Sequence, residues 1–165
     1  MIIRLLHPQD AKEYFTLRLK ALKDHPEAFA SSYEEEAKQT HKKYKERFQT
    51  AATQTFGVYE KQLLRGVLTI VPHSHKKLSH KATLTAMYVS PEERGKGFGK
   101  SLILHAIEHA KQSGFEQLQL SVTCTNTPAV DLYKKAGFEI FSTEKKALKH
   151  NGFYYDEFHM ALFLK

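Results

Sequence analysis

Between a strand-like run, Ala82-Thr83-Leu84-Thr85-Ala86-Met87-Tyr88-Val89, and an amphipathic helical pattern carried by Leu102, Ile103, Ala106, Ile107 and Ala110 lies the segment Arg94-Gly95-Lys96-Gly97-Phe98-Gly99-Lys100-Ser101. A glycine-rich turn that leaves a strand and opens a helix constrains the chain more than any other stretch. Glycines let backbone N–H groups approach a ligand closely, and the helix N-terminus adds partial positive charge. The segment predicts an α/β unit that cradles an anion, most simply a phosphate.

Three phosphate patterns compete for it. A Walker A loop ends in Gly-Lys-Ser/Thr, as Gly99-Lys100-Ser101 does, but its first position needs glycine where this chain has Arg94. The next apolar run, Leu118-Gln119-Leu120-Ser121-Val122, has no Asp to hold magnesium. The dinucleotide fingerprint G-x-G-x-x-G fails because Lys100 stands after Gly99. The pattern Arg/Gln-x-x-Gly-x-Gly/Ala fits at Arg94, Gly97 and Gly99.

The rest of the chain supplies a sheet for this unit. Ile2–Leu6 reads as a strand, and Asp10 as the N-cap of a helix over 11–23 that ends at His25-Pro26. Residues 33–50 are helix-prone, with Tyr44 and Phe48 four apart. Gln54–Tyr59 and Leu64–Val71 form a hairpin pattern. After the 82–89 strand and the 98–112 helix, Glu116–Thr123 alternates as a strand. Thr127-Pro128 opens a helix that reaches Gly137. Phe138–Phe141 is strand-like, and Asn151-Gly152 is a hairpin turn before a final strand, Tyr154–Leu164. The 165 residues, 41% of them hydrophobic, suit one α/β domain over 1–165.

No apolar run approaches the ~20 residues of a membrane span, and the Met1–Leu6 stretch is shorter than a signal-peptide core. One cysteine, Cys124, has no partner in the chain for a disulfide and suits the cytoplasm. The net charge of +7 favours anionic partners, but the basic residues are dispersed along the chain, not blocked as in a nucleic-acid-binding surface.

A second signature follows the first: Asn126-Thr127-Pro128-Ala129-Val130-Asp131-Leu132-Tyr133-Lys134-Lys135-Ala136-Gly137-Phe138. Together with Met87-Tyr88-Val89-Ser90-Pro91-Glu92 and Arg94–Gly99, it resembles the GCN5-related N-acetyltransferases (GNAT), in order and in spacing. The likeness extends to Arg18–Leu22, Pro26–Phe29 and Ser31–Glu36, and to Ala147–Lys149 and Tyr154–Glu157. It implies a mixed, mostly antiparallel sheet of about seven strands flanked by about four helices.

The resemblance also implies a chemistry. Acetyl-CoA would place its pyrophosphate on the backbone of Arg94, Gly95, Lys96, Gly97, Phe98, Gly99 and Lys100. Its pantetheine arm would run along Met87, Tyr88 and Val89, where the family's sheet splays, and an N–H near Tyr88 would polarise the thioester carbonyl. An amine would attack directly within a ternary complex. Tyr133 matches the family's general acid for the departing thiolate, with packing of its ring on the sheet as the plain alternative. Asn126 would bond the pantetheine or cap the following helix.

A general base is not assigned by motif, because neither Ala82–Ala86 nor Leu120–Val122 contains an acid. Glu34, Glu35, Asp156, Glu157 or a water held by Thr83, Thr85 or Ser121 are the candidates. That gap leaves a second reading open, a catalytically degenerate module that binds acyl-CoA. An ATP-binding loop is a distant third. His73, His75 and His80 lack the Cys or acid that would complete a metal set, so no metal is expected. By the same resemblance, the acceptor would be a small-molecule amine or a peptide N-terminus, its site lined by Phe29–Glu36 and the last hairpin. Neither nucleic acid nor membrane is implied, and two copies could pair through the final strands.

Overall fold

The computed structural model describes residues 1–165. In chain order it contains β1 (Ile2–Leu5), α1 (Ala11–Asp24), α2 (Tyr33–Ala37), α3 (Lys42–Phe48), β2 (Gln54–Glu60), β3 (Leu63–Pro72), β4 (Lys81–Val89), α4 (Phe98–Gln112), β5 (Gln117–Thr123), α5 (Thr127–Lys135), β6 (Glu139–His150) and β7 (Phe153–Phe163). The seven strands form one sheet in the order β1-β2-β3-β4-β5-β7-β6. Every neighbouring pair is antiparallel except β4 and β5. The two hairpins close as the sequence indicates. Lys61 and Gln62, and likewise Asn151 and Gly152, all have positive φ, the geometry of a two-residue turn matched to strand twist.

Strand alternation sends successive side chains to opposite faces. Val58 and Leu68 point into a cluster with Phe98, Leu102, Ile103 and Ala106 of α4 and with Leu118, Leu120 and Val122 of β5. Their neighbours Tyr59 and Val67 point the other way, into a second cluster with Tyr14 and Leu17 of α1 and Tyr44 of α3. Helices α4 and α5 therefore cover one face, and α1 and α3 the other. No helix of the structure is long and apolar enough to cross a membrane.

Two local expectations are corrected. The helix over 33–50 is broken into α2 and α3, which raises the helix count from four to five. The cause is Glu36. Its Oε1 accepts from Arg18 Nε at 2.9 Å and from Tyr44 Oη at 2.7 Å. An unbroken helix would separate residues 36 and 44 by about 12 Å along its axis. The turn at 38–41 folds α3 back so that the bond forms. Asp10 stands at the N-cap of α1 but makes no side-chain cap there. Its carboxylate instead accepts from Arg4 at 2.8 and 2.9 Å and from the His7 N–H at 2.7 Å.

Burial disfavours the Glu36 carboxylate, yet the bonds from Tyr44 and Arg18 outweigh it and hold the group below its ordinary value of 4.5. That stabilisation is complete above the unfolded value and is lost as pH falls through the lowered one. Glu36→Ala should cost about 3 kcal/mol at pH 7, since it strands Arg18. In urea melts the penalty should shrink in acid, as pH falls through the lowered value and wild type also loses the ion pair. An equal penalty at neutral and acid pH would contradict this account.

Candidate active site

Strands β4 and β5 pair for three residues only, from Lys81↔Gln117 to Thr83↔Gln119. Beyond that point each strand runs on without the other, and a wedge opens between them. A β-bulge opposite Leu68, with Ala86 at φ +54°, bends β4. The Ser90 N–H donates to Arg65 O at 2.8 Å. By the alternation of an antiparallel ladder, Tyr88 then exchanges bonds with Val67, and the backbone groups of Val89 face the wedge. The Val89 carbonyl confirms the direction by accepting from Arg94 Nε at 3.1 Å. The N–H of Tyr88 is thus committed to the sheet, and the expectation of a free donor near Tyr88 shifts to Val89. The Tyr88 ring is buried against α1, away from the wedge.

The glycine segment closes the wide end of the wedge. Across Gly95, Lys96, Gly97, Phe98, Gly99 and Lys100 no backbone N–H finds an acceptor; the first that does is Ser101, donating to Gly97 O at 3.0 Å. Gly97 is the N-cap of α4 with φ +86°, a conformation that aims its neighbours' amides outward at no steric cost. A Cβ on Gly99 would lie 3.2 Å from Leu132 Cδ2 of α5 and 3.4 Å from Met87 Cε of β4, so glycine here lets β4, α4 and α5 converge. The side chains of the segment point elsewhere. Phe98 is in the core. Arg94 folds back on Val89 and donates to His25 Nε2 at 3.0 Å, and Lys96 pairs with Glu93 at 3.0 Å. Lys100 is exposed. What the segment presents is backbone.

Tyr133 stands on α5, its ring buried against Phe138. Burial pushes its phenol well above the ordinary value, so the group stays protonated at neutral pH. Asn126 caps α5, its Oδ1 accepting from the Ala129 N–H at 3.3 Å. Its side-chain NH2 makes no bond within the protein.

Past β4, the α1-side face of the sheet is polar. The candidate bases fare differently there. Asp156 is held below its ordinary value by the Lys146 N–H at 2.8 Å and by Lys145. Glu35 accepts from Ser32 in a capping box. Glu157 is pushed up by burial and by Glu144. Thr83 Oγ1 lies 3.2 Å from His73 Nε2. The sequence did not point to His159, which lies between Ser121 Oγ (2.8 Å) and Glu144 Oε2 (2.9 Å). A cavity of about 290 Å³ lies between Phe29–Glu34 and Leu148–His150, where the sequence places the acceptor.

Residues 18–138, well over half of the chain, match the model of the acetyltransferase (GNAT) family. The chain belongs to that family. Among curated relatives, it is 34% identical to the L-amino acid N-acetyltransferase AaaT of Escherichia coli over 58% of this chain and 59% of that one. The chain spans less than two thirds of the length of the first curated relatives it matches, 18% and 34% for two of them. A GNAT-family acetyltransferase structure from Streptococcus pneumoniae superposes with a TM-score of 0.88 at 22% identity, covering 99% of both chains. The yncA acetyltransferase of Salmonella typhimurium, solved with its cofactor acetyl-CoA, gives a TM-score of 0.87 at 19% identity over 100% of this chain and 94% of that one. At these identities the likeness speaks for the fold.

Proposed function

We propose that this GNAT protein is an acetyl-CoA-dependent N-acetyltransferase that passes the acetyl group directly to an amine beside the β4–β5 wedge. The observation that carries the reading is the run of unpartnered N–H groups from Gly95 to Lys100. Six orphan donors at a helix N-terminus are what a pyrophosphate satisfies. The free edge of β4 beside them offers an extended arm the hydrogen bonds that β5 withholds.

Acetyl-CoA, when bound, supplies a thioester whose carbonyl is open to attack. In this reading the Val89 N–H, together with Met87, aligns the arm and polarises that carbonyl. Tyr133 gives its hydrogen bond to the departing sulfur, and burial keeps it in the protonated form that task needs. The side-chain NH2 of Asn126 steadies the arm while its oxygen caps α5. The acceptor is an amine, small or at a peptide N-terminus, that enters from the polar face through the cavity lined by Glu27, Phe29, Tyr33 and Glu34.

Thiol release from acetyl-CoA, followed over n-butylamine, L-amino acids, spermidine and an Ala-initiated peptide, tests the reading. Amine-dependent release with at least one of them is expected. Tight acetyl-CoA binding with no release on any amine would favour a binding module instead.

A further inference from the structure

We propose that the proton of the acceptor ammonium leaves through a side-chain relay, Ser121–His159–Glu144, that crosses three neighbouring strands. The proposal rests on the transferase reading above and supplies the general base that β4 and β5 lack. Ser121 is on β5, His159 on β7 and Glu144 on β6, and Ser121 and His159 are directly opposed in the ladder. Ser121 Oγ is 2.8 Å from His159 Nδ1, and Nε2 of the same ring is 2.9 Å from Glu144 Oε2.

The chemistry fixes the direction of these bonds. An ionised carboxylate only accepts, so Nε2 carries the hydrogen and Nδ1 keeps its lone pair. Nδ1 then accepts the Ser121 hydroxyl hydrogen, and the lone pairs of Ser121 Oγ are left for a donor. Ser121 is solvent-exposed, two residues past Gln119, the last β5 residue paired with β4. It therefore stands on the lip of the wedge. Its side chain is on the face opposite Leu120 and Val122, which pack with Tyr133. Ser121 is thus exposed on the same polar face that the proposed acceptor approaches.

Ser121 Oγ takes one proton from the ammonium and passes its own to Nδ1. The imidazolium that forms is paired with Glu144 and later releases the proton to solvent. The neutral nitrogen forms the bond to the acetyl carbon, the carbon–sulfur bond breaks, and a second proton from that nitrogen ends on the thiol by way of Tyr133. The charged groups facing the ring are Glu144 on β6 and Glu157 on β7; the neighbouring β5 residues Gln119 and Thr123 are uncharged. Phe141, 6.1 Å from the ring, walls it on the β6 side. Glu144 is a positioning residue: by accepting from Nε2 it sets the tautomer of the ring.

The test uses His159→Gln, Ser121→Ala and Glu144→Gln with acetyl-CoA and the amine panel above, read as kcat against pH beside the acetyl-CoA Kd. His159→Gln should lower kcat at pH 7 by ~10²-fold or more, with the loss shrinking as pH rises and the amine becomes neutral in solution, first for the peptide and amino-acid α-amines. The acetyl-CoA Kd should stay within twofold of wild type. Glu144→Gln puts an amide that can donate or accept opposite Nε2, so the tautomer is no longer fixed and kcat should fall several-fold while the acetyl-CoA Kd holds. A wild-type pH profile in His159→Gln overturns the relay and leaves the transferase reading standing. A wild type that binds acetyl-CoA but turns over no amine overturns both.

Discussion

Gly97→Asp is expected to weaken acetyl-CoA binding by ~10²-fold or more, since a carboxylate would sit at the mouth of an anion cradle. The fold should survive it. No atom lies within 4 Å of a Cβ built on Gly97, so the side chain enters open solvent. The remaining cost is the positive φ of +86°, about 1 kcal/mol for an aspartate in the left-handed region. That is a fall of a few degrees in Tm for a chain this long. Calorimetric titration beside a thermal melt checks both halves. An unchanged Kd in a folded variant would remove the loop from the site. Gly99→Asp should weaken binding as well, but less cleanly, because its Cβ presses on Leu132 and Met87.

Tyr133→Phe should lower kcat by ~10²-fold while the acetyl-CoA Kd changes little, the signature of an interaction made only as the thiolate departs. Stability should hold to within ~0.5 kcal/mol, because the hydroxyl makes no bond within the protein and the ring keeps its packing. With its phenol pushed above the ordinary range by burial, Tyr133 loses its proton only at strongly alkaline pH. Wild-type turnover should therefore show no alkaline limb from this group below pH ~10. A Phe variant with full turnover would reduce Tyr133 to a packing residue.

The strand–glycine–helix unit was legible in the sequence because its signals are local: alternation in 82–89, glycines at fixed offsets, and a helical apolar stripe from Leu102 to Ala110. The sheet and its hairpins followed for the same reason. What sequence could not carry were contacts between elements. Glu36 fell inside one helix-prone stretch, 33–50, yet it is 4% exposed, and its bonds to Arg18 and Tyr44 break the helix in two. Near Tyr88, the backbone that faces the wedge is that of Val89, because ladder parity depends on a bulge that no motif marks.

His159 and Glu144 were hidden by register. The β6 strand was expected to end at Phe141, whereas it continues to His150 through irregularities after Ile140 and Glu144. These break the alternation that would have placed Glu144 in a strand. Only once β5, β7 and β6 are aligned do Ser121, His159 and Glu144 meet. In the proposed relay the group that takes the proton sits on β7, the strand beside β5.

The most direct measurement is thermal unfolding of the wild-type protein with acetyl-CoA, with coenzyme A, and with ATP plus magnesium. A ligand at 100 times its Kd adds about 2.7 kcal/mol to the folded state, which is several degrees of Tm. A rise with both coenzymes and none with ATP is the predicted result. No rise with either coenzyme, or a rise with ATP alone, would contradict the assignment of the Gly95–Lys100 cradle to acetyl-CoA.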